Sequence, residues 1–369
     1  MDDLERSEFD RKLERLRAHL RDRGYGGAVI ARQDDFAWIT SGGDNRVLRS
    51  VEDGVGILAI TPERVWLVAY TMDAARVHDD ELAGTSVEVV PLKWHEGTPE
   101  ARAVALCGGG RILSDVRVAG ADLDPAAFAR LHHPLSELEV ARCRELGART
   151  DAILRRVAEG LRPDRTEADV AAELVAEYER GGMTVEVCLV GGSERIARYR
   201  HPLASPTPVG EVVLLHPAVR WRGLHANVTR MVCLGGSVPP ELERRYTAVC
   251  QLQALTLSMC LPGTPFRSIF EARRTLYAQL GFPDEWELHF PGGPTGYRLV
   301  EPAAGADPER TVSDGQVFDW FITVSGAKVE ELSLTHGGRR ELLSATGAWP
   351  TRPFTSGDLT LETPWLLVR

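Results

Sequence analysis

The sequence predicts an α/β protein of two domains, residues 1–134 and 135–369. Three observations lead to that class. A chain of 369 residues is longer than one hydrophobic core usually serves. Apolar segments with helical and with strand periodicity alternate along the whole chain. The His133-Pro134-Leu135 step interrupts that alternation, and a residue before proline is biased away from helix.

The elements follow in order. Phe9, Leu13, Leu16 and Leu20 recur at helical spacing and predict a helix over 8–23. Gly26-Gly-Ala-Val-Ile-Ala31 is a short apolar run of the kind that forms a buried strand. Residues 55–60 and 65–69, parted by Thr-Pro-Glu-Arg, predict a hairpin. Gly42-Gly43 reads as a turn, helices fit 72–82, 99–107 and 124–131, and a strand fits 111–115. Beyond the boundary, Leu138, Ala141, Leu146 and Ile153 stripe a helix running from 136 to about 160. Thr166 caps a second helix over 167–181. Strands are expected at 184–190, 211–219 and 224–234, then helices at 239–260 and 267–280. The remaining strands are placed at 286–290, 296–301, 316–324 and 327–334.

Composition narrows the function classes. The chain is 43% hydrophobic and 26% charged, as globular proteins are. A net charge of -10 argues against a nucleic-acid surface. The cysteines at 107, 143, 188, 233, 250 and 260 are scattered without a CxxC pair. Free thiols in a reducing cytoplasm are therefore expected, not disulfides or structural zinc. The acidic start, Met1-Asp-Asp-Leu-Glu, does not read as a signal peptide. No apolar run approaches the ~18 residues of a membrane span. The expectation is a cytoplasmic protein with no nucleic-acid or membrane partner.

The most distinctive stretch is Val212-Val-Leu-Leu-His216-Pro-Ala-Val-Arg-Trp-Arg-Gly-Leu-His-Ala-Asn227-Val-Thr-Arg-Met-Val-Cys233, two apolar strands joined by a tight Arg-Gly turn. Around it stand Arg198-Tyr-Arg-His201-Pro, Phe282-Pro-Asp-Glu-Trp-Glu-Leu-His289, Gly292-Gly-Pro-Thr-Gly-Tyr297 and Gly326-Ala-Lys-Val-Glu330. In this order the motifs resemble those of the pita-bread (M24) hydrolases, which include Xaa-Pro aminopeptidases, prolidase and creatinase. The resemblance covers the whole chain. It implies a creatinase-like N-terminal α/β domain, a C-terminal pita-bread domain and a homodimer.

The resemblance also raises a conflict. Metal-dependent members hold two divalent ions with two aspartates, a histidine and two glutamates, hard ligands that neutralise most of the metal charge. The first aspartate falls on His216 and the second on Asn227. The first glutamate falls on Phe321 and the second on Glu330. The histidine falls on His289 or on Gly293. A bridged pair of metal ions is not expected, and no cofactor is expected. The residues leave open a single divalent metal on His216, His289 and Glu330, the two-imidazole, one-carboxylate set of mononuclear sites.

Resemblance to creatinase, which works without metal, makes His201 the acid/base candidate and pairs it with Glu330 as the catalytic set. A histidine near neutral pH both accepts and donates a proton. Strand alternation puts Lys328 and Glu330 on one face, where the ammonium would hold the carboxylate ionised. His216, Asn227, His289, Tyr297, Phe321 and Arg198 are the substrate-binding candidates, with Arg195, Arg200 and Arg230 as further carboxylate binders. Tyr297 and Glu301 are expected on one side of a strand. Asp319 is expected either to pair with an arginine or to face outward. Phe290, Pro291, Val300 and Phe321 make the pocket more apolar than a peptidase pocket. The expected function is metal-independent cleavage of a C–N or related bond in a small amino-acid-derived or short peptide-like substrate. A non-catalytic peptide- or metabolite-binding role is the alternative.

Overall fold

A computed structural model describes residues 1–301 and 310–369. The chain divides into two compact units, Met1–His133 with Arg222–Leu224, and Pro134–Trp221 with His225–Arg369.

The first unit is a mixed sheet covered by helices. Its strands lie in the order Glu88–Leu92, Val65–Tyr70, Asp53–Ile60, Gly27–Arg32, Ile112–Ser114, Asp122–Leu123. The expected hairpin is there, with Ile57 opposite Val68 and Ala59 opposite Trp66. The expected 72–82 helix is instead an α-helix, Thr71–Arg76, continued by a π-helical turn, Val77–Leu82. The Gln33–Ile39 helix gave no periodic signal because every one of its residues is buried.

The second unit carries the long helix Glu137–Glu159, capped by Ser136 with Glu139 reaching back to the cap. Thr166 caps Glu167–Arg180, as its position predicts. One sheet runs in the order Leu367–Val368, Arg230–Cys233, Val212–Trp221, Thr184–Gly192. Arg222 and Gly223 both take positive φ, 50° and 78°, as a two-residue hairpin turn requires. A second sheet runs Gly292–Pro294, Gln316–Trp320, Leu332–His336, Arg339–Leu342. A short ladder pairs Ile322–Val324 with Ala327–Val329. The apolar faces of Pro240–Ser258 and Phe266–Gln279 pack on these strands through Val249, Leu252, Phe266, Phe318 and Trp320.

Two expected strands are replaced. Residues 285–288 form a 3-10 turn, Glu285–Leu288, where the 286–290 strand was expected. No strand spans 296–301, and pairing falls earlier, at Gly292–Pro294. The register explains the shift. Gly292 lies opposite Trp320 at φ +71°, and a Cβ there would meet Asp319 O at 2.3 Å and Phe321 N at 2.6 Å. Only glycine lets the backbones approach so closely, so the glycine pair marks the strand itself and not its flanking loop. All six cysteines are free, and only Cys188 is not buried. Among the described residues no helix is long and apolar enough to cross a membrane.

Candidate active site

The site lies in the second unit and has a buried floor and an open rim. The floor is built where Thr229, just before the Arg230–Cys233 strand, meets Glu330, just after the Ala327–Val329 strand. The Thr229 backbone N–H donates to Glu330 O at 3.0 Å and joins the two segments. His216 Nδ1 lies 2.7 Å from Glu330 Oε2 and 2.9 Å from Thr229 Oγ1. The Thr229 hydroxyl donates to the same Glu330 oxygen at 3.1 Å. The Lys328 ammonium stands 2.8 Å from Glu330 Oε1, so the two share a face as alternation predicts. All four side chains are buried.

Electrostatics follow from this packing. Burial opposes ionisation of Glu330, but His216 and Lys328 outweigh it and hold the carboxyl well below its usual range. Burial lowers His216, with Glu330 offsetting part of the effect. A neutral His216 that donates from Nδ1 to an ionised Glu330 satisfies both directions. Asp319 behaves in the opposite way. Burial and then the charge of Glu330 push its carboxyl well up. Asp319 is 1% exposed, so it neither faces outward nor pairs with an arginine, contrary to both expectations. Among the described residues neither of its oxygens has a hydrogen-bond partner, and the Asn227 amide nitrogen has none.

His201 stands at the rim on the loop after the short helix Ser193–Arg198. Glu167 holds that loop. Its buried carboxylate accepts from Gly192 N at 2.8 Å, Ser205 N at 3.0 Å and Ser205 Oγ at 2.6 Å, and pairs with Arg195 Nε at 2.9 Å. Arg200 pairs with Glu285, which also accepts from Ser325 N at 3.0 Å. This pair ties the His201 loop to the 3-10 turn that leads into His289.

The two histidines meet. His201 Nε2 and His289 Nε2 are 3.0 Å apart, with rings edge to face at 83°. His289 Nδ1 lies 2.7 Å from the Phe290 carbonyl oxygen, which can only accept. His289 therefore carries its proton on Nδ1, and its Nε2 is an acceptor. His201 must donate from Nε2, which makes its Nδ1 the unprotonated nitrogen, with no hydrogen-bond partner among the described residues. Burial, with Lys328 adding to it, lowers His289 to about 4, so it is neutral around pH 7 and this tautomer holds. His201 is lowered too, by burial first and then by Lys328, against Glu330. The floor charges thus reach the rim histidines.

The structure brings His201, His289, His216 and Glu330 into one electrostatic neighbourhood. Asn227 and Asp319 adjoin it. Phe321 packs edge-on against His289 at 5.6 Å. Other candidates lie elsewhere. Tyr297 is buried with Glu139, Arg142 and Cys143 of the long helix as its neighbours, because no strand spans 296–301 to aim it at the histidines. Arg198 is exposed over the Tyr199 ring. Arg230 is wholly buried between Asp151 at 2.8 Å and Glu331 at 2.5 Å, a structural position and not a substrate-carboxylate binder. Sequence reading missed the anchoring roles of Glu167 and Glu285. The available signal was that Glu167 follows a helix cap and that Glu285 lies within the motif ending at His289.

Among the described residues no three His, Cys, Asp or Glu side chains are grouped closely enough to hold a metal ion. The set His216, His289 and Glu330 is therefore not assembled as a ligand cluster, because His289 turns its Nε2 to His201 while His216 turns its Nδ1 to Glu330.

Comparison with known proteins places these features. Residues 141–331 match the model of Metallopeptidase family M24. The probable dipeptidase PepE of Mycobacterium tuberculosis is 24% identical over 352 residues, 88% of this chain and 91% of that protein. The Xaa-Pro dipeptidase of Bacillus anthracis superposes with a TM-score of 0.75 at 15% identity, covering 98% of this chain and 100% of its own. Dipeptidase PepE of Mycobacterium ulcerans gives 0.75 at 18% identity, with 98% and 99% covered. These structures share the two-domain pita-bread fold expected from the sequence.

Proposed function

Because this chain belongs to metallopeptidase family M24, we propose that it is a hydrolase of that type working without the family's pair of metal ions, on an amide C–N bond of a small amino-acid-derived or short peptide-like substrate. The observation that carries this reading is the 3.0 Å contact between His201 Nε2 and His289 Nε2, which with His289 protonated on Nδ1 makes His201 Nδ1 the acceptor nitrogen.

The donor set does not fit two divalent ions. His216, Asn227 and Phe321, at the positions of three family carboxylates, bring no anionic oxygen, and the ammonium of Lys328 stands 2.8 Å from the remaining glutamate. No step is therefore routed through a metal. In the proposed reaction His201 Nδ1 takes a proton from water as the water oxygen attacks the carbonyl carbon. The same proton then passes to the nitrogen as the C–N bond breaks, giving an acid and an amine. A histidine that both takes and gives a proton contributes typically ~10²–10⁴-fold.

A second reading, ligand binding without turnover, is favoured by Phe321 in place of a carboxylate and by the apolar surroundings of His289. One experiment separates the two. Protein treated with chelator is incubated with a panel of dipeptides and N-acyl amino acids, and products are read by mass spectrometry beside His201→Ala. Cleavage that survives chelation and is lost in His201→Ala is expected. Cleavage that appears only on adding a divalent metal would overturn metal independence, and no cleavage at all would favour binding alone.

A further inference from the structure

Beside the histidine pair lies a cavity of about 540 Å³, within the size range of small-molecule sites. We infer that this cavity binds a planar aromatic substituent of the substrate, attached next to the amide presented to His201. The inference rests on the reading of His201 as acid/base and adds the class of group that the site selects.

One wall of the cavity is a cluster of mutually packed rings. The His289 and Phe290 rings stack at 5.0 Å and 22°, and Phe321 stands edge-on to both, at 5.6 Å and 5.0 Å. Phe270 and Trp286 also line the space. Phe290 is 53% exposed and Trp286 40% exposed. Large rings left open around a concavity keep apolar surface in water, which a flat apolar group would cover. Offset and edge-to-face ring packing makes a planar π-system a better fit than an aliphatic chain.

The polar groups deep in the wall are already committed. Buried Arg273 donates to Pro291 O at 2.9 Å and to Phe321 O at 2.8 Å. The Tyr277 hydroxyl donates to Thr323 O at 3.1 Å. Glu285 is paired with Arg200. These partners leave little for a polar substituent to bond. The remaining charged lining groups are Glu287 and Arg274, whose guanidinium lies 5.6 Å over Trp286 in a cation–π contact. His289 links the cavity to chemistry, with one face toward Phe290 and its Nε2 on His201. A group seated against this ring cluster is therefore one imidazole away from the proposed base.

The test is titration calorimetry of the intact protein with N-benzoylglycine and N-acetylglycine, which differ by a phenyl ring for a methyl. The benzoyl compound is expected to bind ~10–100-fold more tightly, the span that burial of one such ring supports. Phe290→Ser and Trp286→Ser, both at exposed rim positions, should each erase most of that preference, whereas His201→Ala should keep it. Equal affinity for the two compounds, or a preference unchanged in both rim variants, would overturn the proposal. The two readings fail separately. Selective binding without hydrolysis would remove the catalytic role of His201 and leave the aromatic site standing. Hydrolysis indifferent to the phenyl ring would do the reverse.

Discussion

Lys328 Nζ and Glu330 Oε1 are 2.8 Å apart on the floor of the site, and both side chains are almost wholly buried. An organic cation therefore neutralises Glu330, which in the proposed reading is the one carboxylate retained at the family's ligand positions. A divalent ion entering here would meet Lys328 as a like charge. Protein dialysed against excess Mn²⁺ or Zn²⁺ and then desalted should hold substoichiometric metal by elemental analysis. Its melting temperature should not rise with the ion present, although a ligand at ~100-fold its Kd would stabilise by about 2.7 kcal/mol. One retained equivalent that is lost in His216→Ala would instead establish a single-metal site.

Acid should loosen the rim before the rest of the fold. His289 titrates at about 4 in the folded protein, below its ordinary 6.5, because burial disfavours its charged form. Between those values the unfolded chain binds the extra proton and the folded chain does not. Stability from this group is thus complete above about pH 6.5 and is lost as pH falls toward about 4. Melting temperatures across that window should fall for the wild type and fall less for His289→Gln. Identical slopes would show that another group governs acid sensitivity.

Much of this arrangement was legible in the sequence, for identifiable reasons. Strand alternation alone put Lys328 and Glu330 together, because a period of two leaves no freedom in a short strand. The helix over Glu137–Glu159 was readable from its stripe and its Ser136 cap. The contact between His201 and His289 was not, since it joins loops 88 residues apart and no local pattern encodes which loops meet. The placement of Tyr297 failed because the apolar, glycine-flanked run was read as a strand a few residues too late. Asp319 shows a related limit. Periodicity could not tell that both faces of the Gln316–Trp320 strand are buried, so outward facing remained an open choice.

His289 should behave as a positioning residue for His201. His289→Ala removes the acceptor that fixes the His201 tautomer, so kcat should fall by ~10-fold or more, and KM should rise as well because the imidazole also lines the cavity. His289→Gln offers an amide oxygen to His201 Nε2 and should recover part of the loss. For the wild type, kcat/KM should rise with pH through a value below 6.5, since His201 must be deprotonated at Nδ1 and its pKa is lowered. A profile that falls over that range would mean that protonated His201 is the working form.

Arg230 makes the strongest stability prediction. Its guanidinium is wholly buried, bonded to Asp151 at 2.8 Å, to Glu331 at 2.5 Å and to Ser344 O at 2.7 Å. Burial opposes its charge, but the two carboxylates raise its pKa above the ordinary arginine value. Removing one partner of such a cluster strands the others without water. Arg230→Ala should therefore cost about 3–5 kcal/mol in urea unfolding. Arg230→Lys should recover only part of that, because a point charge cannot reach both carboxylates and a carbonyl with the fork of a guanidinium. If Arg230→Ala left stability unchanged while abolishing substrate binding, the arginine would belong to the site after all.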